Sequence, residues 1–119
     1  MGNSVQHREN VANHFLEDYP QTFLSFHTGD PGETGASEVK GGGYKRQLVD
    51  WLHVRGGTLV NRNELPFDRL PKATITHWGL WDAERDGTYI TGWAWSRDEV
   101  VSEGDKRFVR DAELAMRMG

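Results

Sequence analysis

The sequence predicts a mainly β fold, an antiparallel β-sandwich of about seven strands with an N-terminal α-helical arm. Three observations lead to this prediction: short runs of alternating apolar and polar residues, Gly and Pro turn signals between those runs, and a single helical pattern at the start. The length of 119 residues fits one domain. We therefore expect a helical arm over residues 1–19 and one β-sandwich domain over residues 20–119.

The arm carries apolar side chains at helical spacing over residues 4–19. Asn3 or Ser4 can cap its first turn, and Pro20 prevents its continuation. Two hypotheses follow for this helix: it packs over a sheet edge of its own chain, or it docks on a neighbouring subunit.

The β domain is divided by turn signals into runs with a period of two residues. The predicted strands cover residues 22–27, 44–54, 58–61, 73–82, 88–95, 106–110 and 113–118. The run Leu65-Pro66-Phe67 is an edge or a connection, because proline cannot donate a hydrogen bond to a sheet.

The clearest hairpin spans residues 73–95, whose connection ends in Asp-Gly. If Asp82 pairs with Thr88, the remaining pairs follow. They are Trp81 with Tyr89, His77 with Trp93, Ile75 with Trp95, Leu80 with Ile90 and Thr76 with Ala94, with the Trp78 ring lying over Gly92.

This register places four aromatic residues on one face of the hairpin, and a face so apolar needs a cover. The helix, a second sheet or a partner could provide it, and Trp and Tyr are common in protein interfaces. The predicted interface aromatics are Trp81, Tyr89, Trp93 and Trp95. Trp93 and Trp95 could alternatively stack on sugar rings.

The glycine-rich segment 27–46 contains six of the 14 glycines, and a segment of this length between strands is typically functional. A phosphate cradle would need a helix after the glycines, but a run of period two follows. The acidic residues Asp30, Glu33 and Glu38 lack calcium-loop spacing. We therefore predict an assembly loop that contacts other proteins, with the residues Asp30, Pro31, Gly32, Glu33, Glu38, Gly42, Gly43, Tyr44 and Arg46.

Composition and spacing argue against several functional classes. The net charge of −4 without a basic block argues against nucleic-acid binding, and the absence of cysteine excludes thiolate chemistry and fits a reducing compartment. Polar residues 2–10 predict no signal peptide, and no apolar run is long enough to span a membrane. The group Ser25, His27 and Asp30 lacks a nucleophile elbow. We expect no catalytic residue, cofactor or metal, and no enzymatic activity.

The chain resembles a family of small virion structural proteins of tailed bacteriophages. The resemblance covers roughly residues 20–112 and depends on three blocks in the same order: Leu-Ser-Phe-His-Thr-Gly-Asp-Pro-Gly at 24–32, Gly-Gly-Tyr-Lys-Arg at 42–46, and Ile-Thr-His-Trp-Gly-Leu-Trp-Asp at 75–82. Members are described as tail-fibre-like, minor tail or head-decoration proteins, and no catalytic residue comes with the resemblance.

The resemblance implies a virion protein, assembled in the host cytoplasm. Our first hypothesis is a capsid decoration or cement protein, a homo-oligomer and specifically a trimer, that contacts the major capsid protein or other virion proteins through the arm and the loop. The alternative is a tail-fibre or minor tail component that binds a host glycan through Trp93, Trp95 and Tyr89.

Overall fold

One helix and nine strands succeed each other in this computed structural model, which describes residues 3–118. The helix is α1 (Asn3–Asp18). The strands are β1 (Thr22–His27), β2 (Gln47–Val49), β3 (Trp51–Val54), β4 (Thr58–Asn61), β5 (Leu65–Leu70), β6 (Ala73–Trp81), β7 (Tyr89–Val101), β8 (Asp105–Val109) and β9 (Ala115–Arg117).

The strands form three antiparallel sheets. The first has the order β2-β1-β6-β7, the second β3-β4-β9, and the third consists of β5 and β8. The predicted mainly β fold with an N-terminal helix is confirmed. The division into residues 1–19 and 20–119 stays a prediction, and Met1, Gly2 and Gly119 lie outside the described residues.

The predicted strand 44–54 is wrong as a single element, because the chain changes sheets in the middle of it. β2 pairs with β1 in the first sheet, whereas β3 pairs with β4 in the second. At the corner between them, the Asp50 amide donates to the Asn63 side chain, and the Asn63 amide group donates back to the Leu48 carbonyl. Alternation alone gave no sign of this corner, since Val49 and Trp51 are both buried.

The predicted register of the β6–β7 hairpin is wrong beyond its first two pairs. Asp82 and Thr88 close the hairpin, and Trp81 lies opposite Tyr89, as predicted. Ile90 is then an extra residue in β7, so that Leu80 pairs with Thr91. Every later partner differs from the prediction: Gly79 pairs with Gly92, Trp78 with Trp93, His77 with Ala94, and Ile75 with Glu99.

The bulge at Ile90 changes the face of the sheet on which Trp93 lies. Paired residues share a face, and side chains alternate along a strand. Trp81 and Tyr89 therefore lie on the face opposite to Trp78 and Trp93. The single aromatic face expected from the sequence is in fact two faces.

The core lies between the three sheets and beneath α1. Phe26 of the first sheet stacks on Phe67 of the third with 3.9 Å between ring centroids. The Trp51 indole of the second sheet donates to the Thr22 hydroxyl of the first at 2.8 Å. From α1, Ala12 and Phe15 are buried in the same core. The apolar side of the helix thus packs on its own chain.

Phe67→Ala should destabilise the protein by roughly 3–5 kcal/mol, because Phe67 is 1% exposed and its removal leaves a cavity against Phe26. The matched control is Phe108→Ala on the partner strand, where the ring is 45% exposed and the expected loss is within about 1 kcal/mol. Urea unfolding followed by tryptophan fluorescence measures both. Equal losses would contradict the core described here.

Candidate functional site

The glycine-rich segment forms a loop, residues 28–43, that lies on the outer face of the first sheet. An isolated bridge joins His27 to Glu38. The Val39 amide donates to the Phe26 carbonyl, and the Thr28 amide to the Ser37 carbonyl, both at 2.9 Å. The loop is therefore closed at its base by backbone hydrogen bonds next to β1.

The loop covers the face of the first sheet that carries Trp81 and Tyr89, which we call the outer aromatic face. Gly35 has φ +78° and packs so closely beneath the Trp81 ring that any side chain there would clash with it. The buried Pro31 packs against Gly92, and the Tyr89 ring lies over the paired strand glycines Gly79 and Gly92. The ring that covers a strand glycine is thus that of Tyr89, and the prediction that Trp78 covers Gly92 is wrong.

Glu38 and Arg46 form the charged anchor of the loop. The Arg46 Nε and Nη2 atoms each donate to a different oxygen of the Glu38 carboxylate, both at 2.9 Å. The Tyr44 hydroxyl also donates to Glu38, at 2.7 Å, and accepts the Phe26 amide at 3.1 Å. A bidentate pair of this geometry is both stronger and more directional than an ordinary surface ion pair.

Arg46 extends the anchor to the turn of the β6–β7 hairpin. Its Nη1 atom donates to the carbonyls of Ala83 and Asp86, at 3.0 and 2.8 Å. Its guanidinium carbon lies 3.7 Å from the Trp81 ring centroid, a cation–π distance. With 8% of its side chain exposed, Arg46 joins the loop, the hairpin turn and the outer aromatic face.

The anchor changes the protonation of its members. Burial raises the pKa of Glu38, but hydrogen bonds from Arg46 and Tyr44 outweigh burial and hold that pKa below its usual value. Burial, together with the charge of Glu38, raises the pKa of the Tyr44 hydroxyl. Glu38 is therefore a carboxylate and Tyr44 a neutral phenol across the physiological range.

A buried chain of polar groups lies beside this anchor. The His27 Nδ1 atom is 2.7 Å from the Ala36 carbonyl, so Nδ1 must hold the ring proton. The Nε2 atom then accepts from the Ser25 hydroxyl at 2.6 Å, and Ser25 accepts from the Trp81 indole at 2.9 Å. Ser25 and His27 are both 0% exposed, so this Ser-His pair offers no substrate access and fastens the loop to the sheet.

The predicted assembly-loop residues divide between anchoring and exposed positions. Asp30, Gly32 and Glu33 are exposed, and the Asp30 carboxylate accepts the Gly32 amide at 2.9 Å in the expected turn. The Gly43 amide donates to the Arg69 carbonyl, and Gly42 packs against the same backbone. Contact of this loop with another protein stays a prediction.

A second candidate site, which we call the tryptophan groove, has a volume of about 310 Å³. Trp93 is 38% exposed and lies 4.7 Å, between ring centroids, from the buried Trp78. Trp95 is half-buried and lies 6.0 Å from Trp78. The groove is lined by Trp78, Trp93, Ala94, Trp95, Ser96, Glu99, Glu113, Leu114 and Ala115.

A charged bridge that the sequence analysis missed forms one wall of the groove. The Arg107 guanidinium donates to both oxygens of Glu99 and also to Glu113. These hydrogen bonds raise the pKa of Arg107. Burial raises the pKa of Glu113, but the Arg107 hydrogen bond holds it below its usual value overall. Nothing local in the sequence indicated the bridge, because its three members come from β7, β8 and the segment before β9.

Over residues 3–118, no group of three or more His, Asp or Glu side chains is placed to hold a metal ion. The helix within that range is too short and too polar to cross a membrane.

The fold is mainly β with one N-terminal helix, and it carries an exposed aromatic groove and a loop fastened by a nearly buried ion pair. A comparison with protein-family models matches residues 3–117 to the family described as podophage GP4 fiber I protein gp80. Because the match spans nearly the whole chain, the protein belongs to this family of phage virion structural proteins. A comparison with curated proteins found no match.

Glu38→Ala should cost about 3 kcal/mol of unfolding free energy, because it leaves the nearly buried Arg46 charge without its carboxylate. Glu33→Ala in the exposed part of the same loop is the control, with an expected change within about 0.5 kcal/mol. Urea unfolding measures both variants. Amide exchange across residues 28–43 should rise in Glu38→Ala alone, and unchanged exchange would contradict the anchoring role.

The stability of the protein should fall as the pH is lowered below about 6.5. Burial is the largest influence on His27 and lowers its pKa from the ordinary 6.5. As the pH falls, the unfolded chain therefore binds a proton at His27 before the folded chain does. The stabilisation that comes from neutral His27 is complete above pH 6.5, and it is lost as the pH falls toward the pKa of His27 in the folded chain. Unfolding free energies from pH 5 to 8 test this. His27→Gln should flatten the dependence, whereas His7→Gln on the exposed helix surface should preserve it.

Proposed function

We propose that this protein is a fibre component of a podophage virion, with a structural and binding role and no catalytic one. The observation that carries the proposal is the family match over residues 3–117 to a protein described as a fibre protein. The buried position of Ser25 and His27, together with an exposed groove elsewhere, supports a role in contact and adhesion.

We further propose a surface through which neighbouring virion proteins contact the chain. Several large apolar side chains are exposed outside the tryptophan groove, and apolar surface of this kind favours protein contacts. Those on the β strands are Leu48, Leu52, Val100 and Phe108. The homo-oligomer, the trimer and the contact with the major capsid protein remain predictions from the sequence.

Placement of the protein in the assembled particle tests the fibre assignment. Cryo-EM of virions, with gold-labelled antibody against this chain as a second readout, should locate the copies in the fibres at the tail. Copies distributed over the head shell and absent from the tail would contradict the fibre proposal. That result would support the capsid-decoration hypothesis instead.

A further inference from the structure

We propose that the tryptophan groove binds a neutral oligosaccharide. The proposal rests on the proposed fibre role only for the source of the sugar, a host-cell surface. The recognition itself follows from the chemistry of the groove.

The exposed ring of Trp93 provides a flat apolar platform that is held in place before any ligand arrives. The buried Trp78 packs against Trp93 on one side and contacts Trp95 on the other. Trp95 is also held by the core ring of Phe26 at 6.1 Å between centroids. A pyranose ring presents C–H groups on one face and hydroxyls around its edge, so it can stack on such a platform while its hydroxyls remain free to bond. Holding the rings in advance reduces the entropy that binding would cost.

Polar groups surround the platform where those hydroxyls would lie. Glu99 and Glu113 are fixed by Arg107, and a carboxylate retains further acceptor positions after such bonds. The Ser96 side chain adds a hydroxyl to the lining. This combination of an aromatic floor with a few fixed polar groups is characteristic of small-ligand sites.

Trp95 provides an independent observation that points to a ligand. Its indole N–H is buried and has no hydrogen-bond partner within the described residues. An unpaired buried donor costs roughly 1–3 kcal/mol, so each such group in a native structure calls for a specific explanation. A ligand hydroxyl that accepts a hydrogen bond from this N–H would remove the penalty.

The charge of the groove selects the class of ligand. Two carboxylates, Glu99 and Glu113, oppose the single guanidinium of Arg107, which leaves one net negative charge. That charge disfavours sialylated or phosphorylated sugars. It also disfavours a protein partner, since acidic residues are depleted in the cores of protein interfaces.

The position of Trp93 indicates more than one sugar unit. The same ring lines a second, more apolar groove of about 290 Å³, whose other lining residues differ from those of the tryptophan groove. That groove is lined by Phe15, Tyr19, Ile90, Thr91, Trp93, Arg117 and Met118. A sugar stacked on Trp93 would therefore have room for a neighbouring unit in each direction, and a trisaccharide should bind better than its monosaccharide.

The test is a titration of the purified full chain with defined sugars, observed through the indole N–H signals in ¹H–¹⁵N NMR. The probes are maltotriose, chitotriose, rhamnose and galactose trisaccharides, the corresponding monosaccharides, and sialyllactose as the anionic arm. We expect at least one neutral trisaccharide to shift the Trp93 and Trp95 signals, with sialyllactose inactive. No shift with any neutral trisaccharide at millimolar concentration would overturn the proposal, as would a response to sialyllactose alone.

Three variants locate the binding. Trp93→Ala should weaken binding at least about tenfold, as removal of a central tryptophan typically does. Trp95→Phe keeps an aromatic ring at this position, removes the unpaired indole N–H and should also weaken binding, which keeps the test valid if Trp93→Ala folds poorly. Phe108→Ala removes an exposed ring outside the groove and should bind normally. Normal affinity in both groove variants would overturn the proposal.

The outcome is separable from that of the fibre assignment. Binding by the isolated chain, together with copies on the head, would refute the fibre role and leave the sugar site standing. Copies in the fibre without sugar binding would refute the sugar site alone.

Discussion

The ion pair between Glu38 and Arg46 is the interaction on which the outer half of the molecule depends. Arg46 is nearly buried, and its guanidinium donates two hydrogen bonds to Glu38 and one to each of two carbonyls of the hairpin turn, and it lies over the Trp81 ring. A charge in this position is tolerable only because Glu38 neutralises it, and Glu38 is held by Tyr44 as well. Without the pair, the Arg46 charge would be nearly buried and unneutralised, and the loop would be held on the sheet only by its backbone hydrogen bonds, the His27–Ala36 hydrogen bond and its packing on Trp81 and Tyr89.

A single extra residue in β7 determines how the aromatic side chains are used. Trp81 and Tyr89 lie on the outer face, where the loop covers them, and the bulge at Ile90 moves Trp93 to the opposite face, beside Trp78. β7 also continues well past the end of the predicted strand, so Trp93 and Trp95 lie where the first sheet meets the segment before β9. The tryptophan groove exists because of this shift. In the regular register, Trp81, Tyr89, Trp93 and Trp95 would share one face of the sheet.

Much of the fold was predictable from local patterns, and the parts that were not have a common physical cause. The bounds of β1 and β4 were predicted to the residue, because each is a short run rich in apolar and β-branched or aromatic residues that is bounded by turn residues. The bulge at Ile90 and the corner at Asp50 were missed, since each depends on partners far away in sequence.

The candidate sites were likewise predictable only where their signal is local. Glycine content and the motif around Glu38 and Arg46 drew attention to the loop, but only the fold shows that these two residues bond each other. The Glu99–Arg107–Glu113 bridge joins three separate segments and has no local signature.

The polar chain from Trp81 through Ser25 and His27 to the Ala36 carbonyl has a direction, because each group donates to the next. Replacing one member by an apolar residue leaves a donor or an acceptor of its neighbour unpaired in the interior. Replacing all of the side chains at once by well-packed apolar residues need not leave any polar group unpaired. Single substitutions at these positions therefore destabilise the protein, even where the combined substitutions would be tolerated. Across the family, the residues at positions 25, 27 and 81 should change together or remain together, so this short chain of hydrogen bonds constrains how the sequence can evolve.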